Sequence, residues 1–244
     1  MNFLSATTLE MPGTLPSLLA RYRYKVFVER LGWELETEFD NEQDQFDHAD
    51  TVHIVARNDE DEIVGCGRLL PCTGPYLLES VFPQLLNGAE APRNGAVWEL
   101  SRFAAMDVDT VSHPTSRRDY MAERVLLEAL RYCVKQRVTT LIAVSTLTIE
   151  RLMQRAGVDV HRMGPPHMIG GEPVLGFVIN VNEQSISALE AFEEAAKAHA
   201  ARPAGHPVRR TTTESVFRSA VDAPVGNICV RGASHDNARI AQPL

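Results

Sequence analysis

The 244-residue chain contains no apolar run near the roughly 18 residues of a membrane-spanning helix, so no membrane span is expected. Its first residues, MNFLSATTLEMPG, have neither a basic start nor a sustained apolar core, and so do not read as a secretory signal. The four cysteines, Cys66, Cys72, Cys133 and Cys229, form no CxxC pair and no metal-ligand spacing. They are expected to be free thiols of a cytoplasmic protein, with no bound metal. There is no excess of positive charge: the net charge of −8 argues against a general nucleic-acid binder. No internal repeat is present. Residues 201–244 lack any apolar period and are rich in Pro, Ala, Ser, Thr and Arg. Six Arg against three acids give this tail +3 and leave −11 for the remainder. It is expected to be a basic, poorly ordered extension, with room for a short helix around Glu214–Val221. Residues 1–200 are expected to hold the folded domain.

What is present has the patterning of an α/β chain. Leu15, Leu18, Leu19, Tyr22 and Val26 lay an apolar stripe along LPSLLARYRYKVFVERLGW and predict a first helix. Arg23, Phe27 and Arg30 follow at spacings that put them on a neighbouring face. The segment Glu34–Asp50 has eight acids, no Lys or Arg and no period, and reads as a loop. Its two phenylalanines, Phe39 and Phe46, imply that part of it packs back onto the body. TVHIVAR and EIVGCGRLL flank the polar turn NDED and predict a hairpin. The strand VWELSRFAAM follows. The amphipathic helix SRRDYMAERVLLEALRYCVKQR comes next, with Ser116 as N-cap. TLIAVS is a short buried strand, and LTIERLMQRAG a helix that stops at Gly157. VDVHRM and PVLGFVINV are two more strands. A last helix is SISALEAFEEAAKAHA, with Ser187 and Glu190 spaced as a capping box. The expected fold is thus α/β, of the α+β kind: a mixed, mostly antiparallel central sheet flanked by helices.

VWELSRFA poses a specific problem. A regular strand alternates its faces, placing Glu99, Ser101 and Phe103 on one side and Trp98, Leu100 and Arg102 on the other. Two opposite charges three residues apart in an apolar run imply a solvated face, a bulge, or separate tasks for the two charges.

Five short stretches appear in order: Arg23–Phe27, Arg30–Trp33, Asp44–Asp47, Gly67–Leu69 and Trp98–Phe103. Together they resemble the acyl-homoserine lactone synthases, the LuxI-type autoinducer synthases, which share the fold of the GNAT acyltransferases. The resemblance spans roughly residues 15–180. It implies an enzyme that N-acylates S-adenosylmethionine from an acyl thioester on acyl carrier protein. The acylated substrate is then lactonised, with release of methylthioadenosine. It implies no cofactor beyond these substrates. By this resemblance Glu99, Arg102 and Arg68 belong to the catalytic group, and Arg23, Phe27, Trp33, Asp44, Asp47 and Phe103 bind S-adenosylmethionine.

The residue types suit the chemistry. Amine attack on a thioester needs a base, for which Glu99 acting through water is the candidate, and donors for the developing oxyanion. Backbone N–H groups freed by a bulge near Ser101–Phe103 would supply those donors. Lactonisation is intramolecular and needs mainly a folded substrate. A sulfonium, an ammonium and a carboxylate call for acids, arginine and aromatic faces together. Arg102 is expected to pair with loop acids or hold the substrate carboxylate, and Arg68 to pair with Glu99 or the loop acids.

SHPTSRRDY lacks the glycines with which coenzyme-A-binding relatives cradle a pyrophosphate, which favours a carrier-protein donor. The carrier is acidic, so a basic dock is expected at Arg117, Arg118, Arg151 and Arg155, with Arg124, Lys135 and Arg137 as further candidates. Leu100, Met121, Leu141, Ala143, Leu152, Met153 and Phe177 are expected to wall the acyl slot. Ala143 stands where family members handling 3-oxo chains tend to have Thr, and alanine offers no hydrogen bond to a 3-oxo group. An unsubstituted medium chain, octanoyl or hexanoyl, is therefore expected. The alternative reading is a GNAT-type N-acyltransferase for another amine.

Overall fold

A computed structural model describes residues 1–108 and 120–200, with side chains up to residue 198. Arg117, Arg118, the Ser116 cap and the whole of 201–244 lie outside the described residues.

The chain folds around one mixed sheet. Strand β1 (Asn2–Thr7) is followed by α1 (Leu15–Arg23), a small hairpin of β2 (Thr37–Glu38) and β3 (Asn41–Glu42), β4 (Val52–Arg57), β5 (Ile63–Pro71), the short α2 (Leu77–Ser80) and β6 (Val97–Ala105). Then come α3 (Met121–Lys135), β7 (Thr140–Thr146), α4 (Leu147–Arg155), β8 (Val160–Arg162), β9 (His167–Ile169), β10 (Glu172–Asn180) and α5 (Glu183–Ala200). The sheet order is β1-β4-β5-β6-β7-β10-β8, with β9 also on β10. Among these ladders β6 and β7 run parallel, and the rest are antiparallel.

Both faces are covered, which explains the near-continuous apolar runs in β5 and β7. On one face α3 and parts of α4 and α5 pack over Ile54, Leu100, Leu141 and Phe177. A Cβ on Gly65 would stand 2.9 Å from Val125 Cγ2, so glycine lets α3 approach β5 closely. On the other face α1 covers Val55, Cys66 and Ala104. Beside it, α2 and the turn after it cover Leu70, Ile142 and Val174.

Several details differ from the sequence reading. The edge strand β1 was not anticipated, because NFLSAT is half exposed and shows no clean alternation. The predicted first helix changes type: after Arg23 the backbone continues as a π-helix, Tyr24–Arg30, closed by Leu31 N–H to Val26 O. The wider turn breaks the 3.6-residue phase. Phe27 stays buried, whereas Arg30 turns outward and donates to the carbonyl of Val108. Leu18, assigned to the apolar stripe, is half exposed. Helix α5 starts ahead of the expected Ser187 box. Asn182 is the cap, its Oδ1 accepting the N–H of Ser185, and Ser187 lies inside the helix. Of the two loop phenylalanines Phe46 is buried, but Phe39 is 87% exposed at the tip of the β2–β3 turn.

Candidate active site

The site is built around the middle of β6. Against β5, Ser101 pairs with Arg68 and Ala104 with Cys66, so two residues, Arg102 and Phe103, face Gly67 alone. This is a β-bulge, and Arg102 sits in the left-handed region at φ +48°. The alternation is reset there. Leu100 and Phe103 both border Gly67 and both pack into the α3-side core, while Ser101 and Arg102 join one polar cluster. The bulge resolves the spacing of Glu99 and Arg102 in VWELSRFA.

In the cluster, three arginines and three carboxylates alternate in a closed ring. Arg23 Nε lies 2.5 Å from Glu42, which binds Arg102 Nη2 at 2.8 Å. Arg102 Nη2 also reaches Asp44 at 2.8 Å, and Asp44 meets Arg68 Nη1 at 2.6 Å. Arg68 Nη1 lies 3.1 Å from Asp47, which closes the ring through two 2.8 Å bonds to Arg23. Arg68 Nε also donates to Ser101 Oγ at 3.0 Å. The loop that supplies Asp44 and Asp47 is locked by its own backbone: Phe46 N–H donates to Asp44 Oδ1, and Asp44 N–H to Asp47 Oδ2. Phe46 anchors it beneath the Arg68 guanidinium, 5.6 Å from ring centre to Cζ.

Burial alone would raise the Asp47 carboxyl. The hydrogen bonds and charge of Arg23, with the charge of Arg68, overcome it and hold Asp47 below the ordinary carboxylate range. Glu42 behaves likewise: burial opposes ionisation, and Arg102 and Arg23 outweigh it. Beside the ring, Phe27 and Trp33 stack at 4.8 Å, with the Arg102 guanidinium 5.7 and 5.9 Å from their centroids. Trp33 Nε1 and Arg68 Nη2 are buried donors with no partner.

Glu99 is outside this ring. Its two oxygens accept the N–H groups of Leu77 and Leu78, each at 2.7 Å, at the start of α2. It is fully buried and, among the described residues, forms no ion pair with a guanidinium. Burial pushes its carboxyl up, the two peptide bonds only partly offset that, and the value settles at about 7.

The parallel pairing of β6 and β7 ends at Leu100 opposite Ala143. Beyond it the strands separate, and a cavity of about 150 Å³ fills the gap. Phe27, Trp33 and Arg102 line it towards the ring, and Leu100, Phe103, Ala143, Leu152, Met153 and Phe177 towards the α3–α4 side. Leu141 is in the core and Met121 starts α3; neither lines the cavity. Arg23, Asp44, Asp47, Arg68 and Glu99 stand behind its wall. Ala122, Leu126, Val158 and Leu189 also line it and were not anticipated. Arg151 and Arg155 are exposed on α4, and Lys135 and Arg137 are exposed after the body of α3. Arg124 instead lies over the Phe3 ring at 5.3 Å.

Glu42 is the main omission from the sequence reading. The signal for it was arithmetic: Arg23, Arg68 and Arg102 need three acids for neutrality, and only Asp44 and Asp47 had been assigned from the loop. The donors to Glu99 had no sequence signal, since a peptide N–H has no residue code.

Among the described residues no helix is long and apolar enough to cross a membrane. The sequence model of the autoinducer synthase family matches residues 11–189. An acyl-homoserine-lactone synthase of Acinetobacter nosocomialis is 43% identical over 185 residues, covering 74% of this chain and all of that protein. The structure of TofI in a ternary complex with an inhibitor and MTA is 39% identical with a TM-score of 0.68, over 78% of this chain and 97% of that one. The acyl-homoserine-lactone synthase LasI gives a TM-score of 0.70 at 30% identity, over 86% and 98% of the two chains. The fold, a mixed and mostly antiparallel sheet flanked by helices, is the one these synthases share. With the ring, the bulge and the split sheet, these matches establish that the chain belongs to the autoinducer synthase family, enzymes that transfer an acyl group to form acyl-homoserine lactones.

Proposed function

We propose that this enzyme acylates the amine of S-adenosylmethionine from an acylated carrier protein and then lactonises the product, releasing methylthioadenosine. The observation that carries this reading is the cavity through the splayed sheet, with aromatic rings and Arg102 at one end and an apolar slot at the other. A cationic sulfonium suits the Phe27 and Trp33 faces and the nearby acids. The methionine carboxylate suits the spare donor Trp33 Nε1 and the Arg102 guanidinium on the cavity wall. MTA in the TofI complex supports a substrate of this class.

In this reading Glu99 takes the ammonium proton through a water. A carboxyl held at about 7 is ionised enough to accept a proton near neutrality and basic enough to hold it. Each of its oxygens keeps a lone pair beyond the one facing α2. The neutral amine attacks the thioester carbon, backbone N–H groups of the bulge polarise the carbonyl, and the carrier thiol departs. The carboxylate then displaces the sulfonium at its own γ-carbon. No resident cofactor is needed. The carrier would dock on Arg151 and Arg155, four apart on the exposed face of α4. Ala143 on the cavity wall favours an unsubstituted octanoyl or hexanoyl chain.

The test is mass spectrometry of organic extracts from a host expressing the chain. A homoserine-lactone series absent from the vector control is expected, with its acyl mass reporting the chain. Purified enzyme should turn over octanoyl- or hexanoyl-carrier protein with at least tenfold higher kcat/KM than the matching acyl-CoA. The reverse preference would overturn the donor assignment.

A further inference from the structure

We propose that the thiol of Cys66 is a positioning residue for this reaction: it clamps the β6 bulge that aims Arg102 at the substrate end of the cavity. The inference rests on S-adenosylmethionine being the amine substrate.

A bulge leaves ladder groups without strand partners. Here β5 offers one residue, Gly67, to both Arg102 and Phe103. The Arg102 carbonyl is met instead by a side chain, Cys66 Sγ, which donates to it at 3.1 Å. One buried donor on β5 therefore holds the Arg102 carbonyl at the bulge itself, next to the point where the ladder resumes at Cys66 and Ala104. Arg102 is a non-glycine residue at positive φ, a conformation that persists only where its surroundings hold it. From that conformation its guanidinium reaches Glu42 and Asp44 and lies against Phe27 and Trp33.

The thiol is suited to a fixed donor. It is 2% exposed, and burial pushes its ionisation up to about 12, so it keeps its proton at any working pH. It does not line the cavity, so its effect on substrate must pass through Arg102.

The test compares Cys66→Ala with Cys66→Ser in the full chain. Calorimetry gives Kd for S-adenosylmethionine without any acyl donor, and lactone formation gives kcat. One lost hydrogen bond predicts roughly a fivefold weaker Kd in Cys66→Ala. Its kcat at saturating substrate should change less than twofold. Cys66→Ser keeps a donor and should recover most of the affinity. Should Cys66→Ala not fold, Cys66→Val fills the space without a donor and takes its place in the comparison with Ser. An unchanged Kd in Cys66→Ala overturns the proposal. So does equal loss in the Ala and Ser variants, which would assign Cys66 to packing alone. Wild-type enzyme that fails to bind S-adenosylmethionine would refute the substrate reading instead, and is seen before any variant is compared.

Discussion

Glu99 and the loop acids are buried side by side in opposite ways. Glu42, Asp44 and Asp47 are buried against guanidinium groups, each carboxylate touching two. Glu99 is buried at least as deeply but its direct partners are two peptide N–H groups, with the Arg68 charge acting only at longer range. Two dipoles offset less of the desolvation penalty than two cations do. Glu42 and Asp47 are thereby held as permanent anions that shape the substrate end of the cavity, while Glu99 titrates near neutrality. Partner type, rather than depth, separates a structural anion from a proton acceptor.

The largest expected effect tests the Glu99 side. Glu99→Gln should lower kcat by about 10²–10⁴-fold, the usual worth of a general base. It should cost only about 1–3 kcal/mol of stability, because the amide nitrogen cannot accept and leaves one of the Leu77 and Leu78 N–H groups without an acceptor. Loss of folding with modest loss of kcat would mean that Glu99 serves mainly to hold α2.

On the ring side the balance is reversed. Asp47→Asn strips Arg23 and Arg68 of an ionic partner. Leaving a buried charge uncompensated costs about 3–5 kcal/mol. Chemical denaturation should show that loss, with weakened affinity for S-adenosylmethionine. If Asp47→Asn were as stable as wild type, the ring would not be the element that holds the loop.

The pH dependence of catalysis should follow Glu99 alone. kcat/KM is expected to rise about tenfold per pH unit below 7 and to level off above it. A profile flat from pH 5.5 to 8 would remove Glu99 from the base role.

Stability against pH should carry a smaller, two-signed signature. The folded Glu99 value lies above its ordinary 4.5, so the folded state binds the extra proton. Its contribution to stability is complete below 4.5 and is lost as pH rises towards 7. Glu42 and Asp47 lie below their ordinary values of 4.5 and 3.8, so their contribution is present above those values and is lost on acidification beneath them. Urea midpoints should therefore fall gently between pH 5 and 7 and steeply below about pH 3.8. Glu99→Gln should abolish only the gentle slope.

Much of this site was legible because its polar residues sit in an apolar context. Arg68 inside IVGCGRLL and Glu99 with Arg102 inside VWELSRFA must either be solvated or find partners, and both strands are otherwise core. Arg23 and Phe27 were placed together correctly by helical spacing. Extending that spacing to Arg30 failed, because the π-turns that follow change the period. Glu42 was hidden by abundance, one acid among eight in a segment with no basic residue. Phe39 and Phe46 looked equivalent, yet only Phe46 follows a self-bonded Asp44–Asp47 turn that presents it to the core.

The sequence by itself determined the long helices and the central strands, the burial of those strands, and the supply of three arginines and surplus acids to meet them. These follow from local period and from the cost of burying charge, which any fold of this chain must satisfy. The tertiary structure decided which acid meets which arginine. It also decided that Glu99 meets none, that Arg102 and Ser101 share a cluster, and that β6 and β7 part beyond Leu100 and Ala143. Those outcomes depend on a bulge in register and on peptide N–H groups brought in from α2. Register and backbone donors become specific only when distant segments pack.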